Sequence, residues 1–262
     1  MTKHTLFLAW QDRARTRRWY PIGRLDADIA KKRYLFRYTH GADAAFKEAA
    51  FAPLWDFPEL RRTYESGDLF PLFQNRVMTP TRPDFSKYLE QLDLTPQQAD
   101  PIEILSVTGG GRATDAFEVF PKLELQADGT FACRFFLHGS RHVNDFSQQR
   151  IERLHAGERL GVTLELTNPA TRLAVQIQTE DYQMIGWAPR YLVPDLATAM
   201  TKSDGEFRAH VVRVNPSPAP SNQRVLVEFQ GTWISDREPM SGEEFLPLVT
   251  WPKEAGIESR AN

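Results

Sequence analysis

The chain has 262 residues, 41% of them hydrophobic, which is enough for one large domain or two small ones. Its 32 basic side chains nearly balance 34 acidic ones, for a formal net charge of −2. That excludes the chain-wide cationic surface of a dedicated nucleic-acid binder, so any such site must be a local patch. No run of about 18 apolar residues is present, so no transmembrane helix and no membrane partner are expected. A single cysteine, Cys133, excludes an internal disulfide. The first 19 residues hold too short an apolar segment, and no small-residue cleavage site, for a signal peptide. A cytoplasmic location is the expectation.

In chain order, residues 5–10 (TLFLAW) alternate as a strand. Residues 11–18 form a turn carrying Arg13, Arg15, Arg17 and Arg18. It reads as a solvated hairpin tip, with phosphate contact as the alternative. Residues 19–25 return as a strand in which Pro21, lacking an N–H, predicts an edge or a bulge. Residues 33–39 complete an antiparallel meander. A helical pattern over 42–51 precedes a loop containing Pro53 and Pro58. Phe70, Phe73 and Val77 recur at helical spacing and predict a helix over 71–78. Pro83 opens another, over 84–92. Thr95 is an N-cap with Pro96 behind it, and Asp100-Pro101 repeats that signal before a helix over 102–107. Gly109-Gly110-Gly111 lacks the Gly-Lys-[Ser/Thr] of a phosphate loop and reads as a flexible inter-domain joint. A short strand over 116–120 follows.

The next stretch carries alternating strands over 134–138, 159–166 and 173–178. A fourth apolar run, 183–187, ends in Ala188-Pro189-Arg190 and a helical pattern. Thr167-Asn168-Pro169 breaks two of these strands apart, and the Asn168 side chain is expected to hold that turn first and bind ligand second. Strands over 206–215 and 223–233 flank a proline-rich loop. Residues 238–262 carry few periodic apolar positions and read as a tail, partly ordered to about Trp251 and frayed beyond. Cys133 sits mid-strand and reads as a buried, inert thiol.

Catalytic patterns are thin. His138 and His142 are four apart, but Gly139-Ser140 between them rules out helical zinc-ligand geometry. No His-Glu-x-x-His or Gly-x-Ser-x-Gly is present, and Glu180-Asp181 reads as turn chemistry. No catalytic residue, metal or cofactor is expected, and no enzyme.

Three segments carry a resemblance: Gly139-Ser140-Arg141-His142, then Leu166 through Val175 (LTNPATRLAV), then Ile185-Gly186-Trp187-Ala188-Pro189-Arg190-Tyr191-Leu192. In order and spacing they resemble the Gly-x-Arg-Tyr, Asn-Pro-Tyr-Asp and Ile-Gly-Tyr-x-Pro-Arg segments of the HIRAN domain, over about residues 123–233. The resemblance implies a small, partly open β-barrel related to the OB-fold. It also implies binding of single-stranded DNA or DNA 3′ ends. The residues it implicates are Arg141, His142, Asn168, Arg172, Trp187 and Arg190. Arg141 lies on a small-residue loop, Arg190 at a helix start that adds N–H donors for an anion, and Trp187 faces either the core or a base. Ala170-Thr171 stand where the family often has Tyr-Asp, and His142 stands where it has an aromatic. Stacking is worth about 1–3 kcal/mol per base, so weaker and more salt-sensitive binding is expected.

In the other half, Leu72 through Val77 and Gly110 through Phe117 resemble the first N-terminal subdomain of HipA-type toxins, which implies an interaction or structural module. No kinase region follows. The reading is an α+β protein of two domains built on small antiparallel β-barrels with short helices. These are 1–121, HipA-subdomain-like; 122–235, HIRAN-like; and a tail, 236–262. The expected function is non-catalytic nucleic-acid binding. The alternative is a protein-interaction module or accessory subunit with catalysis on another chain, its partner held by the N-terminal half.

Overall fold

A computed structural model describes residues 3–202 and 207–250. Strands β1 (Lys3–Gln11), β2 (Trp19–Asp28) and β3 (Arg33–Tyr38) pair antiparallel in sequence order. β4 (Thr63–Ser66) extends this sheet beside β3, and β5 (Phe117–Pro121) beside β1. Adjacent residues of a strand point to opposite faces, and in β1 both faces are buried. Leu6 and Leu8 enter one core with Ile22, Leu25 and Phe36, while Phe7 and Ala9 enter another. β5 divides in the same way, with Val119 on one side and Phe120 on the other. These two strands are therefore a wall shared by two cores.

β2 is central rather than an edge. Of the two ways to place Pro21, the chain uses the bulge: Leu8 faces Gly23, Ala9 faces Pro21, and Ile22 is left over. Helix α1 (His40–Ala49) covers this sheet, and α2 (Pro71–Gln74), α3 (Phe85–Gln91) and α4 (Pro101–Thr108) follow. The helix predicted over 71–78 stops at Gln74. Arg76 turns back, donating to the Leu72 carbonyl oxygen at 3.1 Å and to that of Gly110 at 2.9 Å. The glycine run is not an inter-domain joint. Gly109 ends α4 in the left-handed region and its carbonyl oxygen accepts from Val119 N–H at 2.7 Å, so the run is bound inside the first sheet's structure.

The second sheet is built from β6 (Thr130–Phe136), β7 (Arg159–Asn168), β8 (Arg172–Thr179), β9 (Met184–Trp187), β10 (Arg208–Val214) and β11 (Val225–Thr232). Its order is β6-β11-β10-β7-β8-β9. Just past β6, His138 exchanges both backbone hydrogen bonds with Trp187 of β9, each at 2.9 Å. The two outer strands thus meet, and the sheet curls into a barrel. Helix α5 (Asp145–Glu152) starts at Asn144, whose side chain accepts from Ser147 N–H at 2.9 Å, and α6 (Val193–Lys202) packs against β8.

The two sheets share buried surface. Phe120 stacks on Tyr191 with ring centroids 3.9 Å apart and planes 8° off parallel. Leu89, Leu92 and Ile104 join Phe136 and Leu226 in a separate cluster. Where it is described, the C-terminal segment packs against the first sheet. Met240 and Phe245 are buried, and Leu248 N–H donates to the Tyr38 carbonyl oxygen at 2.8 Å. The expected fraying beyond Trp251 lies outside the described residues, as does Glu206 of the strand predicted from 206. No helix among the described residues is long and apolar enough to cross a membrane.

Candidate functional site

The barrel closes at two glycines. Gly139 has φ +70°, and a Cβ there would lie 2.6 Å from Trp187 Cε3, so the indole rests against this loop. Gly186 has φ +152°, and its Cβ would lie 2.8 Å from the His138 carbonyl oxygen, one of the closing acceptors. Only glycine meets both demands at each position without strain.

The Trp187 indole N–H donates to Glu165 Oε2 at 2.8 Å, and the same oxygen accepts from Asn168 Nδ2 at 2.8 Å. Asn168 Oδ1 accepts from the backbone N–H groups of Ala170 (3.0 Å) and Thr171 (3.1 Å) and from the Thr171 hydroxyl (3.0 Å). Asn168 therefore holds the β7–β8 turn and, through Glu165, fixes the tilt of the Trp187 ring. Trp187 is half-buried: one edge packs on the barrel, and the rest lines a cavity of about 600 Å³.

Four of the six residues implicated by sequence, His142, Asn168, Trp187 and Arg190, line that cavity. Arg141 lines an adjoining depression of about 560 Å³ with His142. Arg172 lines a third, of about 1060 Å³, with Arg190. All three share Trp19 and Tyr191, so they run together along the seam between the barrel and the first sheet. Their linings hold seven arginines and three glutamates, a cationic surface on a chain of net charge −2.

Arg190 does not open a helix directly. A 3₁₀ turn, Arg190–Leu192, comes before α6. Its guanidinium reaches back instead, with Nη1 3.4 Å from the Arg17 carbonyl oxygen. Burial and the charge of Arg17 lower its pKa from the ordinary arginine value, with Glu118 opposing. Glu118, on β5, has a side chain only 16% exposed and lies 3.6 Å from His138 Nε2. Burial raises its carboxyl pKa, against the pull of His138 and Arg190. Arg141 Nε donates to His142 Nε2 at 3.0 Å, which leaves Nδ1 of that ring as its donor. Arg172 sits at φ +65° with an exposed side chain.

Sequence reasoning missed Trp19, Glu118, Glu165 and Tyr191. The signal for Trp19 was its place directly after the arginine-rich turn. Tyr191 stood in the quoted segment directly after Arg190, and Glu118 and Glu165 are brought in by tertiary packing that no local pattern announces. Burial, with Glu228 adding to it, pushes the Cys133 thiol up to about 12, as an inert thiol requires. Among the described residues no group of three His, Cys, Asp or Glu side chains could hold a metal ion.

Residues 130–233 match the family model of the HIRAN domain, which places the closed barrel and the loops bearing Arg141, Asn168 and Arg190 within a HIRAN domain. A crystal structure of a protein from Lactobacillus plantarum aligns with 39% of this chain and 99% of its own length, at 19% identity and a TM-score of 0.30. No curated protein matches the chain.

Proposed function

We propose that this chain binds single-stranded DNA, with a preference for DNA ends, through its HIRAN domain and without catalysis. One observation carries the reading. The barrel's closing point, where Trp187 rests on Gly139, opens into a cavity also lined by His142, Asn168 and Arg190. A strand needs cations along its phosphates and a flat apolar face for a base, and this groove offers both on a domain type associated with nucleic acid. Arg141 and Arg190 take phosphates, Trp187 takes a base, and Asn168 fixes the frame around them. The test is fluorescence anisotropy with single strands bearing free or blocked 3′ ends, across a salt series. Removing one phosphate-binding cation flattens the slope of log affinity against log salt by about 0.7 for a single strand. Arg141→Ala and Arg190→Ala should each do so, and parent-like binding by both variants refutes the assignment.

A second reading, a HipA-like protein-contact module in residues 1–121, rests on the two segments that resemble that subdomain. They meet in space: Arg76 donates to the Gly110 carbonyl oxygen at 2.9 Å and pairs with Asp115 at 2.6 Å. Native mass spectrometry of the chain recovered from its own cells tests it, and a chain recovered free of other proteins counts against it.

A further inference from the structure

We infer that the N-terminal half supplies the second wall of the strand-binding groove, so that one nucleic-acid site spans the seam. This rests on the proposed binding of single strands and adds the residues that complete the site. The β1–β2 turn, which reads in sequence as a solvated hairpin tip, lies against the barrel. Its Arg17 carbonyl oxygen accepts from Arg190, and Arg13 lines the same depression as Arg141.

The turn is held rigidly enough to form a wall. Asp12, buried at its base, accepts from the backbone N–H groups of Arg15 (3.2 Å) and Thr16 (2.9 Å) and from the Thr16 hydroxyl (2.9 Å). Arg18 is committed to Glu48 at 2.9 Å. The side chains of Arg13 and Arg17 have no partner among the described residues and stand exposed at the groove. Arg17 and Arg190 carry like charges and lie close enough to act on one another, offset at Arg190 only in part by Glu118. A polyanion at that place relieves the repulsion.

Trp19 follows the turn and lines all three depressions. It is half-buried and, among the described residues, has no aromatic neighbour in stacking range, and it lines the groove. It therefore stands where a base can lie, opposite the barrel position that carries Ala170. The aromatic surface missing from the barrel's own loop is supplied by the other half of the chain.

The experiment uses the full chain and fluorescein-labelled oligothymidylates of about 4 and about 12 nucleotides, both within the range of site sizes for one OB-like fold. The double variant R13Q/R17N removes two unpaired charges, and asparagine tolerates the positive φ of 55° at position 17. It should melt like the parent, while its salt slope on the longer strand falls by about 1.4. W19L should weaken binding about 5- to 150-fold, the span expected for one base-stacking platform, and W19F should restore most of it. A third measurement needs no variant: a strand carrying 4-thiothymidine should photocrosslink to the peptide containing Trp19. If the parent binds but R13Q/R17N keeps its slope, or crosslinks fall only within residues 130–233, the barrel alone is the site and this inference is overturned while the proposed function stands. If the parent binds no single strand, both are overturned.

Discussion

Replacing Gly139 by alanine tests whether barrel closure and the binding face are one device. Two costs follow from the geometry. An L-residue at φ +70° enters the left-handed region at about 1–2 kcal/mol. The added Cβ would also lie 2.6 Å from Trp187 Cε3 and 2.9 Å from Cζ3, so the ring must move. Its N–H then leaves Glu165, and a hydrogen bond to a charged group contributes about 1.5–3 kcal/mol. The expected loss is about 2.5–5 kcal/mol in urea unfolding followed by tryptophan fluorescence. Gly139→Asn separates the two terms, because asparagine tolerates the left-handed region yet carries the same Cβ. It should recover about 1 kcal/mol of stability and none of the DNA affinity. A Gly139→Ala protein within about 0.5 kcal/mol of the parent, still binding strands normally, would show that the indole does not rest on this glycine, and the argument would fail.

Two further predictions concern the first sheet. Arg76, whose side chain is 2% exposed, pairs with Asp115 at 2.6 Å; Asp115→Ala leaves a buried guanidinium without its carboxylate and should cost about 3–5 kcal/mol in denaturant unfolding, with a loss under about 1 kcal/mol refuting the pair's role. Asp26 is raised by burial but lowered more by its Arg24 hydrogen bond and the charges of Arg24 and Arg37, so its net pKa lies below the ordinary 3.8; its stabilisation is present above that value and is lost as pH falls through the depressed one. Asp26→Asn should therefore flatten the acid limb of the stability–pH curve below pH about 4, and an acid limb parallel to the parent's would remove Asp26 from the account.

Alternation was enough to find the meander β1–β3 and most of the barrel strands, because each buries at least one face. The same signal explains what was missed. α5 holds few apolar residues and leaves Phe146 in solvent, so its helical period is weak in the sequence. β4 is four residues long and buries none of them fully. The C-terminal segment buries Met240 and Phe245 without any period, because it packs as extended chain rather than as an element. In the site, the Gly-Ser-Arg-His and Gly-Trp-Ala-Pro-Arg motifs could be found because they are contiguous. Glu165 and Glu118 could not: the first acts by bonding both Asn168 and Trp187, and the second lies on a different sheet; Trp19, also on that sheet, was signalled only by its place after the arginine-rich turn. The glycine run misled because a helix C-cap and a hinge share the same composition.

The return of the C-terminal segment to the first sheet also sets an order of assembly. Residues 246–248 bond to Tyr38 and His40, and Phe245 packs 4.9 Å from Phe7. These pairings join segments on either side of the whole intervening barrel, and such distant pairings slow folding, because loop-closure entropy is given up before they form. During synthesis the strands β1 to β5 precede the barrel but wait for Phe245 to cover Phe7. Until then the first sheet's apolar wall, β1 and β5, is open to the barrel as that emerges, so each half is the surface on which the other completes its core.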